Sequence, residues 1–171
     1  MKNTFLFICF ASMVAVSCAQ SKRIMLHAYQ QAVLPGVQRT TIDESGATKV
    51  APLKTNTNTF LYLEFPSSKK IDPKHVWING KLYDLNASVP SLPVVIYNNA
   101  IPDKKPDTLL RASSSKVLQL TLAPSNGTFK PSSTAKRKMK SNEVVLHTIE
   151  NGKNCYYYLE HIKELDPVAL Q

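Results

Sequence analysis

The residues of this chain that could perform acid–base or metal chemistry are few. It contains four histidines: His27, His75, His147 and His161. None of their spacings matches a zinc site, and the sequence has neither an HExxH motif nor a glycine-rich phosphate loop. If residues 75–85 form a hairpin, His75 lies opposite Asp84, but a catalytic dyad also needs a nucleophile, and no GxSxG motif supplies one. We therefore expect a structural His75–Asp84 pair, no metal or other cofactor, and no enzymatic activity.

Cysteine usage excludes a disulfide framework. The sequence has three cysteines, and Cys9 and Cys18 both fall within its first 18 residues, which leaves Cys155 alone in the remainder. Cys155 could act as a reactive thiol. Its position on the core face of a predicted strand instead favours a buried cysteine that behaves as a small hydrophobic residue.

The N-terminus predicts export from the cytoplasm. Lys2 precedes an apolar stretch, residues 5–16, that has signal-peptide length and is too short to span a bilayer with any margin. The motif Ala15-Val16-Ser17-Cys18 resembles a bacterial lipobox, in which the cysteine becomes the lipidated first residue of the mature protein. Two alternatives are cleavage before Gln20, which gives a soluble periplasmic or secreted protein, and an uncleaved buried segment.

Positive charge is concentrated in one segment, residues 124–142. The formal net charge of the chain is +9, and the densest group of cations is Lys130, Lys136, Arg137, Lys138 and Lys140. Nucleic acid is a poor partner for an exported protein, and no aromatic residue is interleaved with these charges. An acidic protein surface, an anionic glycan or anionic lipid headgroups fit better. The segment is expected to be a flexible loop, and the alternative to partner binding is that its solvated charges only keep the protein soluble.

Aromatic residues give a second candidate ligand face, made of Trp77, His147, Tyr156 and Tyr158. Together these rings could stack on a sugar. Sugar platforms usually carry neighbouring Asp, Asn or Gln side chains, and burial of aromatic rings is itself strongly favourable. The sequence therefore favours rings that pack beneath a loop or against a second sheet.

Two Asn-Gly pairs place these candidates on strands. Asn-Gly between apolar runs predicts a β-hairpin with a type I′ turn, because both central residues need positive φ. Around Asn151-Gly152 the predicted pairs are Glu150 with Lys153, Thr148 with Cys155, His147 with Tyr156, and Leu146 with Tyr157. Around Asn79-Gly80 they are Ile78 with Lys81, Trp77 with Leu82, Val76 with Tyr83, and His75 with Asp84. Alternation assigns one face of each hairpin to the core: Val144, Leu146, Thr148, Cys155, Tyr157 and Leu159; and Val76, Ile78, Tyr83 and Leu85.

The remaining apolar runs predict further short strands at residues 24–29, 37–42, 59–65, 93–97, 109–112 and 116–122. No amphipathic helix is expected, and Pro167 is expected to keep residues 165–171 from forming a strand. The prediction is an all-β fold: an antiparallel β-sandwich, immunoglobulin-like or transthyretin-like, with seven to nine short strands. A partly closed barrel is the alternative.

Through its first 20 or so residues and its strand count, the chain resembles small bacterial (Bacteroidota-like) envelope lipoproteins with a single β-sandwich domain. The resemblance implies a signal peptide at residues 1–17, a lipid-anchored tether at 18–23 with Cys18 lipidated, and one domain at 24–171. Residues 19–23 contain no acidic cluster, which favours an outer-membrane lipoprotein facing the periplasm. The expected function is that of a non-catalytic protein-interaction or accessory subunit of an envelope or secretion assembly. The alternative is a carbohydrate-binding module that uses the aromatic face.

Overall fold

The computed structural model describes residues 24–34, 40–42, 48–50, 56–98, 104–125 and 129–169. The predicted signal peptide and tether, residues 1–23, lie outside the described residues, as does the first half of the predicted strand at 37–42.

The described residues form twelve β-strands and one short helix. In the first half of the chain the strands are β1 (Met25–Leu34), β2 (Thr40–Ile42), β3 (Thr48–Val50), β4 (Asn56–Phe65), β5 (Ile71–Ile78) and β6 (Lys81–Ser88). The second half contains β7 (Val94–Ile96), β8 (Asp107–Leu110), β9 (Lys116–Pro124), α1 (Ser133–Met139), β10 (Val144–Glu150), β11 (Lys153–Leu159) and β12 (Lys163–Ala169). This is more strands than the seven to nine expected, and three of the twelve have only three residues.

Eight of the strands form one sheet in the order β11-β10-β5-β6-β9-β4-β1-β12. Every ladder in this sheet is antiparallel except that between β1 and β12, which is parallel. The sheet curls until β11 lies close to β1. Two smaller pairs, β2–β3 and β7–β8, complete the described strands. The prediction of an all-β, sandwich-like fold is confirmed.

Both Asn-Gly hairpins have the predicted register. The β10–β11 ladder pairs Glu150 with Lys153 and His147 with Tyr156, and the β5–β6 ladder pairs His75 with Asp84. All four turn residues have positive φ: Asn79 at 49°, Gly80 at 79°, Asn151 at 49° and Gly152 at 77°. These are type I′ turns, whose twist matches that of the flanking strands.

The core lies inside the curl of the large sheet. It is built from alternate residues of five strands and from the residue before β12: Ala28, Leu61, Leu63, Phe65, Ile71, Val76, Ile78, Leu118, Leu120, Val144, Leu146 and Ile162. Tyr83, Leu85, Tyr157 and Leu159 pack against it, as the alternation predicted. A second cluster lies on the outer face, where the β7–β8 pair covers β1, β4 and β9. There Leu109 and Leu110 pack with Tyr29, Tyr62 and Val117, and the Tyr29 hydroxyl donates to the Leu109 carbonyl at 2.7 Å.

The prediction that residues 124–142 form only a flexible loop was wrong, because α1 lies within this segment. The Ser132 side chain caps the helix by accepting a hydrogen bond from the Ala135 amide at 3.1 Å. At the other end, the Asn142 amide group donates to the Lys138 carbonyl at 2.7 Å. The helix packs against β10, and Ala135 is only 1% exposed. Capping and this small buried contact hold a helix that is too short to be stable alone.

The prediction that Pro167 prevents a strand was also wrong. Pro167 lies inside β12, which is an edge strand, so the missing N–H removes no required ladder bond. The register shifts between Gln31 and Val33 of β1, opposite the proline. The Gln31 side chain donates to the Asp166 carbonyl at 3.0 Å, and the Asn98 side chain donates to the Pro167 carbonyl at 3.0 Å. Side-chain amides therefore satisfy carbonyl groups at the irregular point of the ladder.

Candidate functional site

The predicted aromatic face is a packed cluster rather than an open platform. Trp77 is 3% exposed and His147 is 2% exposed. Phe129 covers both: its ring centroid is 5.8 Å from that of Trp77 and 4.8 Å from that of His147. Phe129 also stacks on His75 at 4.6 Å. Phe129 precedes α1 in the segment that was expected to be flexible. No local pattern in the sequence therefore indicates that its ring covers this face.

Two members of the predicted ligand face remain accessible. Tyr158 is 48% exposed, and Tyr156 is half-buried, with its ring 5.2 Å from that of His147. Trp77 and His147, by contrast, are packed beneath Phe129. A sugar-binding platform that needs all four rings exposed does not form on this face.

His75 and Asp84 form the expected cross-strand pair, with 2.8 Å between His75 Nδ1 and Asp84 Oδ1. The Ser125 hydroxyl donates to the same carboxylate oxygen at 3.0 Å. A hydroxyl has one proton to donate, and Ser125 gives it to the carboxylate. The arrangement lacks the serine-to-histidine hydrogen bond that activates a nucleophile, so the pair has the geometry of a structural contact.

The surroundings of His147 disfavour the charged form of its ring. Its Nε2 lies 2.8 Å from the Asn154 side-chain oxygen, and its buried Nδ1 has no hydrogen-bond partner among the described residues. Burial lowers the pKa of His147 below its ordinary value. The bond to Asn154 opposes this effect, while the nearby His75 and Lys74 add to it. A neutral ring that donates from Nε2 has an unprotonated Nδ1, which can only accept a hydrogen bond. Leaving that acceptor unpaired costs less free energy than leaving an N–H donor unpaired.

The five predicted cations lie on α1 and immediately beside it. Lys130, Lys136, Arg137 and Lys140 are exposed, and Lys138 is half-buried. The Lys138 ammonium lies 4.7 Å from the centre of the Tyr158 ring, a cation–π contact that joins the helix to β11. We call the surface formed by Lys130, Lys136, Arg137, Lys138, Lys140 and Tyr158 the basic surface.

Carboxylates do not compensate the basic surface. Within the part of the chain that the structure describes, ion pairs join other cations to acidic groups, such as Lys74 to Asp72 and Lys104 to Asp107. None of the described ion pairs includes a cation of the basic surface. The last turn of α1 carries Lys136, Arg137 and Lys138, whose positive charges interact favourably with the helix dipole. The charges are therefore held on an ordered element and stay available to a partner.

Comparison with known proteins finds no family model, no curated protein and no solved structure that matches this chain. In the described part of the chain, no helix has the length and apolar composition needed to cross a membrane. Nor do three or more His, Cys, Asp or Glu side chains among these residues come together as metal ligands.

The surroundings of Cys155 disfavour ionisation of its thiol. It is half-buried on β11 and makes no disulfide. Burial raises the pKa of the thiol, and the neighbouring Glu150 carboxylate raises it further. A reactive cysteine needs a lowered pKa, so the environment of Cys155 suits the packing role that the sequence favoured.

Proposed function

We propose that this protein is a non-catalytic interaction module of the bacterial cell envelope, which binds an acidic protein partner through the basic surface. The observation that carries the proposal is the set of five cations on and beside α1 that no described carboxylate neutralises. Such a surface raises the rate of encounter with an acidic partner and disfavours basic ones.

The composition of the basic surface favours a protein over a bare lipid surface. Tyr and Arg are enriched in protein–protein interfaces, where they supply most of the binding energy. Here an exposed Arg137 and a half-exposed Tyr158 lie with the lysines on one ordered unit.

The N-terminal sequence supports the location. The apolar stretch at 5–16 and the motif ending in Cys18 are those of an exported lipoprotein. A lipid anchor would hold the module at the outer membrane on its periplasmic side, as an accessory subunit of an envelope or secretion assembly. Release as a soluble periplasmic or secreted protein is the alternative that the same segment allows.

Substitution of Lys136, Arg137, Lys138 and Lys140 by Gln tests the proposal. The partner is captured by photo-crosslinking from an unnatural residue at Thr134, which is exposed on α1, and is identified by mass spectrometry. We expect the fourfold variant to lose most crosslinking at about 50 mM salt, because four of its five uncompensated cations are removed. Thermal stability should change little, since exposed charges contribute little to folding.

The matched control removes four charges elsewhere, from the exposed Lys69, Lys70, Lys105 and Arg111. It has the same net charge as the test variant and should crosslink like the wild type. Equal losses in both variants would show that only net charge matters. Undiminished crosslinking in the test variant, or a shift of binding to anionic phosphatidylglycerol vesicles alone, would overturn the proposed protein contact.

A further inference from the structure

The large sheet splits between β4 and β9. These two strands pair only as far as Leu61 opposite Leu120. Beyond that point, β4 continues beside β1, with Phe60 opposite Tyr29. Strand β9 continues beside β6, with Thr121 opposite Asn86. Each of the two strands thus keeps a neighbour on one side and, among the described residues, has no ladder partner on the side that faces the other.

A cleft of about 470 Å³ occupies this split. Its volume is within the range of small-ligand sites, about 300–1,000 Å³. We call it the fork cleft. It is lined from β4 by Thr57, Asn58 and Thr59, and from β9 by Gln119 and Thr121. Because alternate residues point to opposite faces of a sheet, a split between two strands collects side chains from both faces.

The fork cleft carries no charged side chain among its described lining residues. This is notable in a chain with 21 Lys and Arg residues and 12 Asp and Glu residues. Lys81 is not one of the lining residues; its ammonium lies 5.2 Å from the centre of the Tyr83 ring and is engaged there in a cation–π contact. The lining offers no ion-pair partner to an anion or a cation, so it fits a neutral ligand.

The polar side chains of the fork cleft have unused hydrogen-bonding capacity. Thr57, Asn58, Thr59, Gln119 and Thr121 make no hydrogen bond with any described group. Three hydroxyls and two carboxamides supply donors and acceptors along the lining of the cleft. They are accompanied by two half-buried aromatic rings, Phe60 and Tyr83.

We propose that the fork cleft binds a neutral oligosaccharide. A sugar ring presents hydroxyls, each both donor and acceptor, around an apolar C–H face, and the cleft presents neutral donors and acceptors beside aromatic rings. This site is separate from the basic surface, so the inference does not depend on the proposed protein partner. It also differs from the Trp77 face, whose rings are covered by Phe129.

An extended peptide is the competing occupant, because strands β4 and β9 both present an unpaired backbone edge to the cleft. Peptides that add to a sheet edge bind chiefly through main-chain groups, with pockets for alternate side chains. Main-chain pairing itself does not use the carboxamides of Asn58 and Gln119 or the three threonine hydroxyls, whereas a sugar would bind through them. The lining therefore favours the sugar, and the peptide becomes an outcome of the test.

The test uses the mature protein on an array of neutral oligosaccharides, with sialylated and sulfated glycans and a library of extended peptides as comparison probes. Hits are measured by isothermal titration calorimetry. We expect a neutral glycan to bind, and Thr121→Val combined with Gln119→Met to weaken it at least tenfold. Thr108→Val is the matched control, because Thr108 is also an exposed strand threonine but lies outside the fork cleft, and its binding should equal that of the wild type.

Each contrary result overturns the proposal. The first is that no neutral glycan binds at millimolar concentration, and the second is that only anionic glycans or peptides bind. The third is that glycan binding survives the Thr121→Val and Gln119→Met changes in a variant with wild-type thermal stability. If that variant is unstable, Asn58→Ala at an exposed position serves in its place, with the same expected loss. Glutamine substitutions on the basic surface should leave glycan binding intact, so failure of one proposal is distinguishable from failure of the other.

Discussion

His147 shows how a single residue ties the packing of this protein to pH. Its ring lies between His75 and Tyr156 beneath Phe129 and is almost fully buried. Charging it would place a cation in a site that holds no carboxylate partner for it among the described groups. Burial of this kind disfavours the protonated form, which is the direction in which the pKa of His147 moves.

We therefore predict that acid destabilises the fold partly through His147. With a folded pKa below the unfolded value of about 6.5, the unfolded chain binds more protons in the window between the two values. Stability is then fully present above the unfolded pKa and is lost as pH falls through the folded pKa. In urea denaturation between pH 7.5 and 5, His147→Gln should lose less unfolding free energy than the wild type.

His161 supplies the control for this measurement. Its side chain is 84% exposed and lies 3.7 Å from the Glu143 carboxylate, so His161→Gln controls for the loss of a histidine without the loss of a buried ring. Parallel pH profiles for the wild type and His147→Gln would contradict the prediction.

At the scale of single elements, the type I′ turns are the features most open to a stability test. Gly152 has φ of 77°, and a β-carbon built there would contact nothing within 4 Å. The cost of Gly152→Ala is therefore one of backbone conformation alone, about 1–2 kcal/mol for a left-handed residue. Urea denaturation should show this loss of unfolding free energy.

Gly152→Asn is the comparison variant, because Asn tolerates the left-handed region better than Ala. It should be destabilised less. If the alanine and asparagine variants were equally stable, the turn would not impose the left-handed conformation that its register requires.

The same elements show how far the sequence predicts this fold. The Asn-Gly hairpins were predictable in register because turn chemistry and alternation are local. Helix α1 had a local signal as well, since Ser132 precedes a run of good helix formers from Ala135 to Met139. Its dense charge favoured a solvated loop, whereas its two caps and its packing against β10 stabilise a helix. The strand at Pro167 depends on its edge position, which no local rule supplies.

The candidate sites likewise combine features that the sequence predicts with features that depend on distant parts of the chain. The cations of the basic surface were predictable as a group from composition, but not their fixed arrangement beside Tyr158. The cover that Phe129 places over Trp77 and His147 depends on a distant segment. The fork cleft depends on where β4 and β9 change neighbours, and long-range pairing sets that point. Its threonines and amides carry no sequence motif.

At the scale of the whole molecule, the proposed anchor decides where the protein resides. If Cys18 is lipidated, Cys18→Ala should move the protein from the membrane fraction to the soluble fraction. It should also abolish labelling by a fatty-acid analogue. Cys155→Ala is the matched control and should change neither. A membrane-bound, labelled Cys18→Ala protein, or a mature N-terminus at Gln20 in the wild type, would contradict the anchor.

The parallel pairing of β1 with β12 has a consequence for how the chain folds. Gln31 and Asp166, which are joined across this ladder, are 135 positions apart in the sequence. Contacts between such distant residues require closure of a very long loop, and chains that depend on them fold slowly. The edge of β1 cannot be covered until β12 has emerged from the ribosome or the membrane. The sheet is therefore completed only after Lys163–Ala169 has been delivered, which would suit the export proposed for this protein.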